Sequence, residues 1–201
     1  LKKPEYKGMV TLNGDPREAG AAFAAVVAAA LANGGSYDDI TPGIQYFADL
    51  KKSGNLQVID VTEAALLSGD VPIALDWSYN FPGIEPKLKE AGFDFSTTIP
   101  TDGLYGSFYA QSVVSDAVHP CAAALWLEHI TGDEGALGYL DGGAIPARYA
   151  ALDAEGKITA DMKANLPSAD EIAKITFPTQ AQIDAMKKQI TDNWGPMVAD
   201  A

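Results

Sequence analysis

The stretch that most restricts this chain is AGAAFAAVVAAALA, residues 19–32, fourteen positions without one polar side chain. Spanning a bilayer takes about 20 strongly apolar residues, so a segment this short and alanine-rich belongs inside a protein as a buried helix. Its flanks carry end signals. Upstream, in NGDPREAG, Asp15 as N-cap, Pro16 as first helical residue and Glu18 as third spell a capping box. Downstream, Asn33-Gly34-Gly35 supplies a left-handed stop. The spacing predicts a helix over 16–32. The two carboxylates have a second reading, as acceptors that face a cleft and wait for a cation.

An all-apolar helix needs other layers around it, and the adjoining text supplies strands. Met9–Leu12 reads as a strand, Thr41-Pro42 opens a second helix that stops at Gly54, and LQVID is a short strand. Thr62 caps a small helix, VPIALDW is an apolar strand of the buried kind, GIEPKLKEAG is helical and FDFSTTIP is extended. Past Gly103 the texture changes. GLYGSFYAQSVVS predicts a strand over 107–113, His119-Pro120 opens the helix CAAALWLEHITG, and DEGALGYLDGG is a further short helix. The tail from Ile158 is polar and helical, with TQAQIDAMKKQITDNW as its most amphipathic piece. The pattern is α/β.

Lys plus Arg total 14 against 27 Asp plus Glu, a formal charge of -13. That field repels nucleic-acid backbones and anionic membranes, and no basic stripe offsets it. Cys121 is the only cysteine, so an intrachain disulfide is impossible. Cys121 beside His119 at a helix start is the arrangement of an activated thiolate, but no third, orienting group is visible. The spacing of eight from Cys121 to His129 fits no compact zinc pattern. Nor is there a Gly-x-Ser-x-Gly elbow, a P-loop or a Rossmann fingerprint. The expectation is a binding protein without metal or cofactor; the alternative is a small α/β enzyme using Cys121 and His119.

The ordered set of PEYKGMVTLNGDPREAGAAFAAVVAAALANGG, VPIALDWSY, IPTDGLYGSFYAQSVVSDAVHPCAAALWLEHITGDEGALGYLDGGAIPAR and the closing DNW resembles ABC-transporter solute-binding proteins of the spermidine/putrescine-binding type. The resemblance implies the periplasmic-binding-protein type 2 architecture, with two lobes that close on a solute and then dock on a membrane permease. It makes residues 1–102 the second lobe, 103–150 a segment returning to the first lobe, and 151–201 a helical tail packing back on the second. It also implies first-lobe sequence ahead of Leu1, or self-association in its place, and a periplasmic or cell-surface location. The solute implied is small and amine-bearing, polyamine-like first.

The site residues follow from that resemblance and from chemistry. Asp15 and Glu18 stand where relatives face an amine with carboxylates, and a desolvated ammonium needs charged acceptors. Asp76, Trp77 and Tyr79 end the VPIAL strand, where open α/β sheets leave a ligand crevice and where an aromatic face can bind a cation. Tyr109 and Gln111 occupy the places of a Trp-x-Asp pair in the relatives. Gln111 in place of the aspartate removes one negative charge, which favours a zwitterionic, amino-acid-like solute as the alternative. Iron is a further alternative through Tyr105 and Tyr109, although no paired phenolate motif is evident in the sequence.

Overall fold

The computed structural model describes residues 1–164 and 166–200. It is a mixed α/β protein whose contacts divide it into two compact units. The first comprises Leu1–Trp77, Ile84–Gly106 and Ala169–Ala201, the second Ser78–Gly83 and Ser107–Ser168.

In chain order the first unit contributes β1 (Val10–Leu12), α1 (Gly20–Ala32), α2 (Thr41–Ser53), β2 (Leu56–Gln57), α3 (Glu63–Ser68), β3 (Ile73–Leu75) and α4 (Glu85–Glu90). The second carries α5 (Pro120–Thr131), α6 (Asp133–Asp141), α7 (Tyr149–Ala154) and α8 (Ala160–Ala164). The first resumes with α9 (Ala169–Lys174), α10 (Gln180–Trp194) and one π-helical turn, Gly195–Ala199.

The sheet is parallel, three-stranded, in the order β2-β1-β3. Parallel neighbours require crossover connections, which α1, α2 and α3 provide. Central β1 is buried along its length, as strands of parallel sheets are. Val10 and Leu12 join one core with Val26 and Val27 of α1, Ile44 and Phe47 of α2, and Met186, Ile190 and Trp194 of α10. The alanine run explains how closely α1 and α2 pack. A β-carbon on Gly43 of α2 would lie 2.2 Å from the Val26 carbonyl oxygen and 2.9 Å from Ala30 Cβ, so only glycine against alanine allows this approach. The second unit has a smaller core, Ala136, Leu140, Leu152 and Ile158.

Several expectations shift. The first helix begins at Gly20, not at Pro16, and its N-cap is Ala19 without a side-chain cap. LQVID contributes two ladder residues, Leu56 and Gln57, at the sheet edge. Ser107–Val113 is not a strand: these residues have no regular secondary structure. A strand exists only where a neighbour accepts from its N–H groups and donates to its C=O groups, and the one described sheet lies elsewhere in the chain. The stop of α2 at Gly54 and the Thr62 cap of α3, whose hydroxyl accepts from the Ala65 N–H at 3.1 Å, are as read from sequence. Among the described residues no helix is long and apolar enough to cross a membrane.

Candidate functional site

Strand order decides where a ligand crevice can form in the first unit. In the order 2-1-3 the chain leaves β1 toward β2 and returns on the far side as β3, so the reversal falls between the carboxyl ends of β1 and β3, the position at which open α/β sheets bind ligands. The residues just past those two ends are tied together. Asn13 N–H donates to the Leu75 carbonyl at 3.2 Å, and Asn13 Nδ2 donates to Asp76 Oδ2 at 2.9 Å. The other carboxylate oxygen of Asp76 accepts the Trp77 N–H at 2.7 Å. A β-carbon at Gly20 would lie 4.0 Å from Trp77 Cζ2, so the indole packs over the first turn of α1. Asp76 and Trp77 are both half-buried.

Asp15 is neither a cap nor an open acceptor. Its Oδ1 accepts from the Arg17 N–H at 2.8 Å and from Arg17 Nε at 2.9 Å, while Oδ2 accepts from Arg17 Nη2 at 2.6 Å. Two guanidinium donors and a backbone N–H together outweigh the single backbone N–H that a cap would offer this carboxylate, and they draw Asp15 into a turn of its own. The Asp15 carbonyl closes that turn by accepting from the Glu18 and Ala19 N–H groups at 3.0 and 2.7 Å. The Arg17 hydrogen bond holds the Asp15 carboxyl below the usual carboxylate range, against the opposing effect of partial burial. Arg17 is correspondingly held protonated, chiefly by Asp15. Glu18 is exposed on the same turn.

The remaining candidates lie in the second unit. Tyr79 and Tyr109 bring their phenol oxygens to 2.8 Å, with ring centroids 6.5 Å apart and planes at 68°. Gln111 Nε2 donates to the Tyr139 phenol oxygen at 3.1 Å. Gly143 explains how Tyr79 is placed. With φ at +78°, and with a would-be β-carbon 3.0 Å from Pro82 Cγ and 3.4 Å from Tyr79 Cα, it lets the 78–82 segment seat against the end of α6. Side chains other than glycine rarely take that backbone conformation.

Seven residues were expected at the site, and the structure sorts them by unit. Asp15, Glu18, Asp76 and Trp77 follow β1 and β3 in the first; Tyr79, Tyr109 and Gln111 belong to the second. The paired phenols come from positions thirty apart, out of reach of any local motif. Sequence reasoning missed three partners: Asn13, Arg17 and Tyr139. Arg17 was legible in principle, because Asp-x-Arg in a turn places a guanidinium within reach of the carboxylate. No sequence signal marks Asn13 or Tyr139. Cys121 is exposed at the start of α5, and among the described residues no group of three or more His, Cys, Asp or Glu could hold a metal ion. Compared with known proteins, the chain matches no family model and no curated protein.

Proposed function

We propose that this chain is the solute-binding component of an ABC importer, with the periplasmic-binding-protein type 2 architecture that its sequence resembles. Its ligand is a small amine-bearing solute, polyamine-like, which it presents outside the cytoplasmic membrane to a permease. Capture of this kind needs no covalent chemistry. The observation that carries the reading is the Asn13–Asp76 pair with Trp77 at the reversal of strand order. There a fixed carboxylate offers charge to an ammonium and an indole face offers a surface for methylenes, a combination worth on the order of 0.5–2 kcal/mol for the cation–π part alone.

A second reading, a zwitterionic ω-amino acid, draws on Arg17. With Asp15 already neutralised by that guanidinium and Gln111 where relatives have an acid, fewer uncommitted negative charges remain for a diamine. Calorimetric titration of putrescine, spermidine and a short ω-amino acid separates the two. Diamine binding that weakens at least ~tenfold in Asp76→Asn and Trp77→Ala supports the first reading. Binding of the ω-amino acid alone replaces it with the second. Heat from none of the three ends both.

A further inference from the structure

We propose that Arg17 is a built-in competitor for the ligand: its guanidinium occupies Asp15 as a ligand ammonium would, and an amine binds by displacing that guanidinium toward Asp200. Such an exchange rests on the amine ligand proposed above and makes Arg17 a specificity-determining residue of the same crevice.

The loop that carries the pair is held at the crevice from both ends. Asn13 is bonded to Asp76, and Trp77 packs over Gly20. Between them the backbone closes tightly, because a β-carbon on Gly14, whose φ is +95°, would fall 2.5 Å from Ala19 Cβ. Asp15 is therefore fixed within the turn that joins β1 to α1.

What meets Asp15 there is a cation with two donors. Arg17 Nε and Nη2 take one carboxylate oxygen each, at 2.9 and 2.6 Å, and the pair stays partly in solvent, with 41% of the Arg17 side chain and 33% of the Asp15 side chain exposed. A ligand ammonium needs those same oxygens, since a carboxylate makes its strongest hydrogen bonds to charged donors. The two cations cannot both hold them. The third bond is different in kind: the Arg17 backbone N–H donates to Oδ1 at 2.8 Å wherever the guanidinium lies. It keeps the carboxylate aimed when the side chain leaves.

Asp200 supplies the place to which the guanidinium goes. A β-carbon on Gly195 would lie 3.3 Å from Asp200 Oδ2 and 3.7 Å from Arg17 Nη1, so carboxylate and guanidinium flank one small space beside the π-helical turn. Nη1 is the terminal nitrogen that Asp15 does not engage. Asp200 already attracts Arg17 through space, second to Asp15 among the neighbouring acids. Opening a partly exposed ion pair costs roughly two- to fivefold in apparent affinity, a factor that a variant without the guanidinium escapes.

Calorimetric titration of putrescine into the full chain is the test. Arg17→Met should bind putrescine ~fivefold more tightly than the parent. Arg17→Lys should fall between the two, because an ammonium keeps the charge but cannot fork onto both oxygens. Asp200→Asn should weaken binding ~threefold in the parent and leave Arg17→Met unaffected, a coupling that a general field does not produce. Arg17 and Asp200 are both exposed, so circular dichroism should show these variants folded as the parent is. In the parent itself, the Arg17 Nε–H resonance should shift as putrescine is added. Equal affinity in Arg17→Lys and the parent overturns the exchange and leaves the amine reading standing. So does an Asp200→Asn effect that persists in Arg17→Met, or an Arg17 resonance unmoved by bound putrescine. No heat from either the parent or Arg17→Met overturns both.

Discussion

Asp15 holds its charge to low pH because Arg17 supplies a backbone N–H and two guanidinium donors to it, and the same three bonds keep it away from the start of α1. The capping rule weighs an oxygen against the helix N–H groups and takes no account of an arginine two residues on, so the sequence reading put the helix start four residues early. Arg17→Ala should therefore bring the Asp15 pKa back up toward the ordinary value near 3.9, read from its carboxyl carbon shift in an NMR titration. On the proposed function, that variant should also bind diamines more tightly than the parent chain; unchanged affinity would show that Asp15 does not face the ligand. A second residue prediction concerns Gly143. Alanine there meets Pro82 at a φ of +78°, so Gly143→Ala should cost about 1 kcal/mol or more in denaturant unfolding and alter the near-ultraviolet signal of Tyr79 and Tyr109.

Elements whose end signals are local were legible; elements that depend on distant neighbours were not. The limits of α2 follow from Thr41-Pro42 and Gly54, all within one turn of the ends they mark. Ser107–Val113 has strand composition, but composition cannot supply the partner that a ladder requires. Helix α10 shows the local case at its clearest. The Thr179 hydroxyl accepts the Gln182 N–H, and Gln182 Oε1 accepts the Thr179 N–H at 3.0 Å, which completes a capping box. Thr179→Ala should lower stability by about 1 kcal/mol, measured by urea denaturation. The candidate site divides in the same way: Asp76 and Trp77 are picked out as candidates by the end of a recognisable strand, whereas Asn13 and Tyr139 enter through pairings 63 and 28 residues apart.

At the scale of the whole molecule, acid is the condition to which the charge pattern points. Asp15, Asp39, Asp49 and Asp133 all have pKa values lowered in the folded protein, by Arg17, Thr41, Lys2 and Lys157 respectively as the leading hydrogen-bond partners. A carboxylate depressed on folding contributes stability that is present above its unfolded pKa, near 3.9, and is lost as pH falls through the lower folded value. Stability measured by denaturant between neutral pH and pH ~2 should thus decline below about pH 4. The decline should be shallower in Lys157→Met, which removes one partner of Asp133; an identical pH profile would show that this pair does not act on folding. The two units differ in reserve as well. Among the described residues the buried cluster of the second numbers four against fifteen in the first, so amide exchange should be faster in α6 and α7 than in α1 and α2.

The joining of β1 and α10 in one core bears on how this protein is made. Val10 and Leu12 are translated well before Met186, Ile190 and Trp194, which lie in the same core about 175 residues further along. Between them lies a loop of about 170 residues, and the entropy of closing it must be met before the packing of α10 repays any of it. While those residues are being made, β1, α1 and α2 lack the part of their cover that α10 supplies, which makes the nascent chain a natural client for a holding chaperone and a slow folder once released.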